Sequence, residues 1–207
     1  AVFYVCVYFS FQIYALTGQT VSFMLASCIT ALAVALAVVQ NAPPIAVLAV
    51  IGGFLSPVFI STAENHPYGL FSYIALLDLV AAGVAWFKRW RFLDVLCFVG
   101  TALLYTGWYF KFFGNPDEPD MTLPATLYAS LFYILFLGSS SVHSLVRLAK
   151  SRPEDLIVAA LNAAFWFFGY YNALYAGHRY LLGGMVLGQA ALAFLVFLAW
   201  RKRIAED

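Results

Sequence analysis

Asp78 stands in the middle of an apolar run, Leu70–Phe87. A charge at the centre of a bilayer costs at least about 2.5–3.5 kcal/mol on insertion scales, so an ionisable residue there is by default a functional candidate. The chemistry open to it is uptake and release of a cation or a proton. The competing role is structural, a protonated or hydrogen-bonded Asp that ties helices together. Ala75, Asp78, Ala82 and Ala85 share one helical face, which points Asp78 into a close helix contact and away from lipid. Asn162, beside Ala159, Ala163 and Trp166 in another apolar run, is its candidate partner.

A second candidate is backbone chemistry at Gly52, Gly53 and Pro57. Glycine and proline loosen a helix, and backbone groups freed inside a membrane must find protein partners. Carbonyls opened in this way line the ion sites of broken transporter helices. A packing kink is the other reading, and the segment is either kinked or re-entrant. Gly184 and Gly188 have the GxxxG spacing of closely packed membrane helices. His66, His143 and His178 are scattered without metal-ligand spacing, so no metal site and no cofactor are expected. Asp117, Glu118 and Asp120 lack the order of a calcium loop and read as a solvated acidic turn. Ser139, Ser140 and Ser141 before His143 lack the nucleophile elbow of a hydrolase. No enzyme is expected.

The elements that must carry these residues follow from composition. Of 207 residues, 64% are hydrophobic and 10% charged, against roughly 45–50% and about 25% in a soluble domain. Mean hydropathy is +0.87. A bilayer-spanning helix needs about 20 mostly apolar residues. The chain has room for eight: Ala1–Leu16, Val21–Val39, Ile45–Ile60, Leu70–Phe87, Phe92–Phe113, Ala125–Leu145, Leu156–Tyr175 and Leu181–Trp200. The fold class is therefore all-α, a polytopic transmembrane helix bundle forming a single helical region over residues 1–207. In the second span Ser22, Ala26, Thr30, Ala33 and Ala37 make a small-residue face suited to close packing. Cys6, Cys28 and Cys97 lie in apolar runs without CxxC spacing and read as buried free thiols. A net charge of +1 offers no bulk field to attract nucleic acid.

Nine of the eleven basic residues follow the fourth, sixth and eighth spans: Lys88, Arg89, Arg91, Arg147, Lys150, Arg152, Arg201, Lys202 and Arg203. The positive-inside rule makes that side cytoplasmic, with both chain ends on it. Trp108, Tyr109, Tyr170, Tyr171 and Tyr175 would then belt the outer interface, and Trp86, Trp90 and Trp200 the inner one. Each basic cluster is followed by an acid (Asp94, Glu154 and Asp155, Glu206 and Asp207), either a repeated hairpin or the ordinary look of a cytoplasmic turn. The chain opens directly in an apolar run, and its tail copies the order that precedes a helix elsewhere. It is expected to be a section of a longer polytopic protein, with small-residue faces left open at its edges.

The stretch Ile51–Phe110 begins Gly-Gly-Phe-Leu-x-Pro, passes through Ser-Thr and a polar loop, and continues with Leu-Phe-x-Tyr-x-x-Leu-Leu and a basic-aromatic turn. It resembles the bacterial predicted membrane proteins of domain-of-unknown-function family 2339. The resemblance implies a multi-pass protein of the bacterial inner membrane and brings no catalytic residues with it. The expected partners are the lipid bilayer and other transmembrane helices or subunits. Two functions stand side by side: a transporter-like or channel-like section of a larger permease, or a structural or assembly subunit of a membrane complex.

Overall fold

The computed structural model describes residues 2–60, 65–88, 90–113, 120–147, 153–175 and 177–205. Glu64, Asp117, Glu118, Arg89, Lys150 and Arg152 lie outside the described residues, as do the side chains of Ser140, Ser141 and His143. Among the described residues eight α-helices follow one another: α1 (Val2–Tyr8, continued by a π-helical turn, Phe9–Ile13), α2 (Gln19–Val39), α3 (Pro43–Ile60), α4 (Pro67–Lys88), α5 (Arg91–Phe112), α6 (Thr122–Arg147), α7 (Pro153–Leu174) and α8 (Arg179–Ala205). Five stretches of the described residues are long and apolar enough to cross a membrane: Val21–Val39, Pro67–Val84, Phe92–Phe112, Thr122–Ser139 and Arg179–Leu198. Val2–Ile13 and Pro43–Phe59 are apolar but shorter.

Local chemistry sets several ends. α3, α4 and α7 each begin at a proline, which has no N–H to lose there and a φ already suited to the helix. α2 ends at Asn41, which takes the left-handed conformation (φ 50°) that asparagine tolerates. The amide of Ala42 then bonds to the Ala37 carbonyl at 2.9 Å, and that of Asn41 to Val38 at 3.3 Å. These two bonds close the helix as a Schellman motif. The first helix is shorter than the apolar run that encodes it. Ala15 turns left-handed (φ 49°), and the chain leaves the helical path before Leu16.

The helices fall into two compact units, Ala1–Phe110 and Lys111–Asp207. In the first, α2 packs on α3 and α4, and α1 lies against α2 and α3. The small-residue face of α2 makes this possible: Ser22, Ala26, Thr30 and Ala37 are all buried. Of the two small-residue faces expected to be left open, Ala26, Thr30 and Ala33 or Gly184 and Gly188, the first is covered at Ala26 and Thr30, and the second is the open one. Gly53 is equally close-packed. A Cβ there would meet Thr30 of α2 at 3.1 Å and Leu77 of α4 at 3.2 Å. α5 joins through side chains. A Cβ on Gly100 would lie 2.8 Å from the Phe54 ring, Phe71 meets Trp108 edge-on at 4.9 Å, and Trp108 Nε1 donates to Asn65 Oδ1 at 2.9 Å. The Lys88 ammonium donates to Asn41 Oδ1 at 3.5 Å, which brings the α2–α3 turn and the end of α4 together.

In the second unit α6 packs on α7, and α8 touches both. α8 is exposed along most of its length, and around Gly184 and Gly188 nothing lies within 4 Å of an added Cβ. The GxxxG pair thus makes no helix contact among the described residues. Other sequence expectations are also corrected. Trp108 and Tyr170 are buried, not belt residues, because each polar tip is claimed by a neighbouring helix or loop. Cys6 and Cys28 are exposed, and only Cys97 is a buried thiol.

Candidate functional site

Asp78 lies in the centre of α4 and is 3% exposed. Thr101, on α5 and wholly buried, donates its hydroxyl to Asp78 Oδ2 at 2.8 Å. Oδ1 has no hydrogen-bond partner among the described residues. The reason is general to helical bundles. Helix N–H groups are already used within the helix, so a buried acceptor must find its donor on a side chain. Here one hydroxyl is within reach and the second oxygen stays open. A carboxylate left this way in an apolar contact is costly. Either a proton or a cation at Oδ1 completes it.

On α5, Asp94, Cys97 and Thr101 recur at i, i+3 and i+7, which places them on one face. Cys97 and Thr101 are buried, and Asp94, in the first turn of the helix, is half-buried. Asp78 lies within electrostatic reach of Asp94, and Cys97 within reach of both. From sequence Cys97 reads only as a buried thiol, and Thr101 does not stand out at all. The signal was available in their spacing behind Asp94, but a lone Thr in an apolar run carries no sign of which helix it will face.

Gly52, Gly53 and Pro57 do not break a helix: α3 is continuous from Pro43 to Ile60 with Pro57 inside it. Proline has no N–H, so Pro57 deprives the carbonyl four residues earlier, that of Gly53, of its helical partner. The hydroxyl of Tyr73 on α4 donates to that same carbonyl at 2.7 Å. The freed group therefore meets a tyrosine and not a cavity. Around it the hydroxyls of Ser56, Thr30 and Tyr4 face Tyr73. Tyr4 and Thr30 bond to each other at 2.6 Å, and Ser56 bonds back to the Gly52 carbonyl at 2.8 Å. Gly52 supports the ring of Tyr4, which a Cβ would approach to 3.1 Å. These glycines act here as packing positions.

Asn162 belongs to the second unit and finds its partner there, as Asp78 does in the first. Its amide nitrogen donates to the Tyr133 carbonyl at 3.2 Å. The Tyr133 hydroxyl donates to the Gln189 carbonyl at 2.9 Å, and the Gln189 amide donates to the Ala163 carbonyl at 2.7 Å. The three bonds run from α7 to α6, from α6 to α8, and from α8 back to α7. Asn162 Oδ1 has no hydrogen-bond partner among the described residues. Tyr133 and Gln189 were not legible as a pair, although a lone amide in the apolar eighth span is itself a signal that something must receive it.

Apolar helices packed about a buried, half-satisfied carboxyl define an all-α, multi-pass membrane protein, embedded in a lipid bilayer. The chain belongs to a family described as predicted membrane proteins, DUF2339, whose model matches residues 1–206. The likeness read in Ile51–Phe110 therefore extends over nearly the whole sequence. No curated protein and no solved structure matches the chain.

Proposed function

We propose that the chain is the ion-handling section of a membrane permease, with Asp78 as the group that takes up and releases the ion. One observation carries the reading: a carboxyl oxygen buried within the first unit without a hydrogen-bond partner, while its twin is held by Thr101. A purely structural Asp would be expected to have both oxygens engaged, since an unmet acceptor weakens the tie it is meant to make. In this reading the chain is not an enzyme; the site exchanges an ion and makes no covalent bond. We place the basic turns, and both ends of the chain, on the cytoplasmic side of a bacterial inner membrane. The Lys88–Asn41 contact supports the sidedness of the first unit, since it sets two successive alternate turns at one end.

The test is ion flux in lipid vesicles containing the full chain. Asp78→Asn keeps the shape and can still accept from Thr101, so it is expected to fold and to express normally while flux is lost. Flux equal to that of the parent protein would overturn the reading and leave Asp78 a helix tie.

The second reading, a structural or assembly subunit, is favoured by the open flank of α8, where Gly184 and Gly188 leave room for the backbone of another helix. It predicts that Gly184→Leu disrupts a complex in native membranes and leaves the isolated chain intact. An unchanged complex would remove that support.

A further inference from the structure

Two of the eleven basic residues, Lys111 and Arg179, fall outside the clusters that follow the fourth, sixth and eighth spans. Arg179 opens α8, whose apolar stretch, Arg179–Leu198, is exposed along most of its length. A cation in the first turn of a helix stands at the positive end of the helix dipole and weakens it. The charge therefore does nothing for its own helix. Among the described residues the ring and the carbonyl of Tyr175 are its contacts, and no carboxylate pairs with it.

Tyr175 nevertheless holds the cation in a fixed place. The guanidinium carbon lies over the Tyr175 ring, 5.0 Å from its centre, and Nε donates to the Tyr175 carbonyl at 3.4 Å. The Tyr175 ring stacks in turn on that of Tyr171 at 4.7 Å, with 28° between the planes. A column of Tyr171, Tyr175 and Arg179 thus crosses the α7–α8 turn. A guanidinium laid on a ring has one flat face covered, while its Nη hydrogens stay open at the edge. All three side chains are exposed, and so is the neighbouring Tyr180. Tyrosines, with an apolar body and a polar tip, belong at the membrane–water boundary. Helical side chains lean towards the N-terminus, so Arg179 leans out of the apolar stretch it begins.

A guanidinium keeps its charge at any pH a cell meets. Its best complement is an oxyanion that accepts two parallel N–H bonds, and phosphate does so. The surroundings favour a phosphate that carries acyl chains. Leu181, two residues into α8 from Arg179, is 54% exposed, and an acyl chain covers such a surface where a free phosphate does not. We propose that Arg179, positioned by Tyr175 and Tyr171, binds the phosphate of a membrane phospholipid and so pins the start of α8 at the headgroup layer. Neither the role of Asp78 nor the sidedness of the chain enters this proposal.

Solid-state NMR of the full chain, labelled at the arginine guanidinium carbons, in bilayers of dioleoylphosphatidylglycerol tests this directly. The Arg179 signal is identified by its loss in Arg179→Gln, or in Arg179→Lys if the first variant does not fold. Dephasing by lipid phosphorus is expected to place a phosphorus within about 5 Å of that carbon, the reach of paired N–H···O bonds. Tyr175→Leu, which removes the ring beneath the cation, should abolish the dephasing, and Tyr175→Phe, which keeps a ring, should retain it. No dephasing of Arg179 in the parent protein would overturn the site. Dephasing unchanged in Tyr175→Leu would overturn the positioning role of the column. The same measurement in bilayers of a diacyl glycolipid, which has no phosphorus, with inorganic phosphate in the buffer, should leave Arg179 undephased. Dephasing there as strong as in phospholipid would assign the site to a free anion and overturn the lipid.

Discussion

The two units treat buried polar groups in opposite ways. In the second, Asn162 and Gln189 give their amide hydrogens to main-chain carbonyls, and Tyr133 completes a loop of three bonds across three helices. In the first, a carboxyl carries one bond and one open oxygen. The difference lies in what helices have to spare. Carbonyls accept a second hydrogen bond readily, whereas backbone N–H groups are already committed. A side-chain donor therefore finds a partner almost anywhere in a bundle, and an acceptor depends on another side chain. Asn162 leaves its acceptor half unmet as well, but an amide oxygen is neutral. In Asp78 the unmet half is the half that carries charge. The second unit thus links its polar groups across three helices, and the first leaves one carboxyl oxygen open.

Glycine substitutions test the packing side of this contrast and should give the largest effect. Gly100→Ala forces a methyl against the Phe54 ring, and overpacking of this kind costs about 1–3 kcal/mol. Gly184→Ala meets nothing, and should be neutral or stabilising by up to about 1 kcal/mol through helix propensity. Denaturation in mixed detergent reads both. Equal costs would erase the distinction between a close-packed first unit and an open α8.

Gln189 is the next lever. Gln189→Leu removes the donor to the Ala163 carbonyl and is expected to cost about 1–2 kcal/mol, the upper range for polar contacts in membranes. Tyr133→Phe, which removes the hydroxyl bond to the Gln189 carbonyl, should cost less, about 0.6 kcal/mol. Proteolysis at the α7–α8 turn should rise in both. Protection equal to that of the parent protein would show that the loop of bonds does not secure α8.

In the first unit, Tyr73→Phe uncovers the carbonyl that Pro57 has freed and should cost about 1 kcal/mol. In a Pro57→Ala background the helix recovers its own N–H for that carbonyl. The same Tyr73→Phe change should then cost less than about 0.5 kcal/mol, a coupling that a double-mutant cycle measures. Simple additivity would mean that tyrosine and proline are not answering one another.

The smallest effect is at the surface. Hydrogen bonds from the Thr122 hydroxyl and amide hold the Asp120 carboxyl below its ordinary 3.8, with His178 adding a lesser pull. A carboxyl depressed by folding contributes its stabilisation above the unfolded value, and loses it as pH falls through the folded one. The cap on α6 should therefore be complete at neutral pH and weaken only below about 3.8. Thr122→Ala should raise the Asp120 midpoint seen by carboxyl NMR. An unmoved midpoint would assign the depression to another cause.

The sequence alone determined the class of protein and, apart from the shortened first helix, the approximate location of the described helices. Apolar runs of membrane length, ended by Gly18, by Asn41 with its two prolines and by Lys88, leave few alternatives, because backbone in lipid must bond to itself. It also singled out Asp78 and the small-residue face of α2, since a charge or a line of small side chains in an apolar run is visible without coordinates. Only the tertiary structure decided the partners. Whether Asp78 met Asn162 or Thr101 depended on which helices became neighbours, and hydrophobic periodicity says little when every face is apolar. Whether Pro57 broke α3 or was answered depended on a tyrosine sixteen residues away in the chain. Whether Gly184 and Gly188 formed a contact depended on what stood opposite them, and a spacing motif describes only one side of an interface.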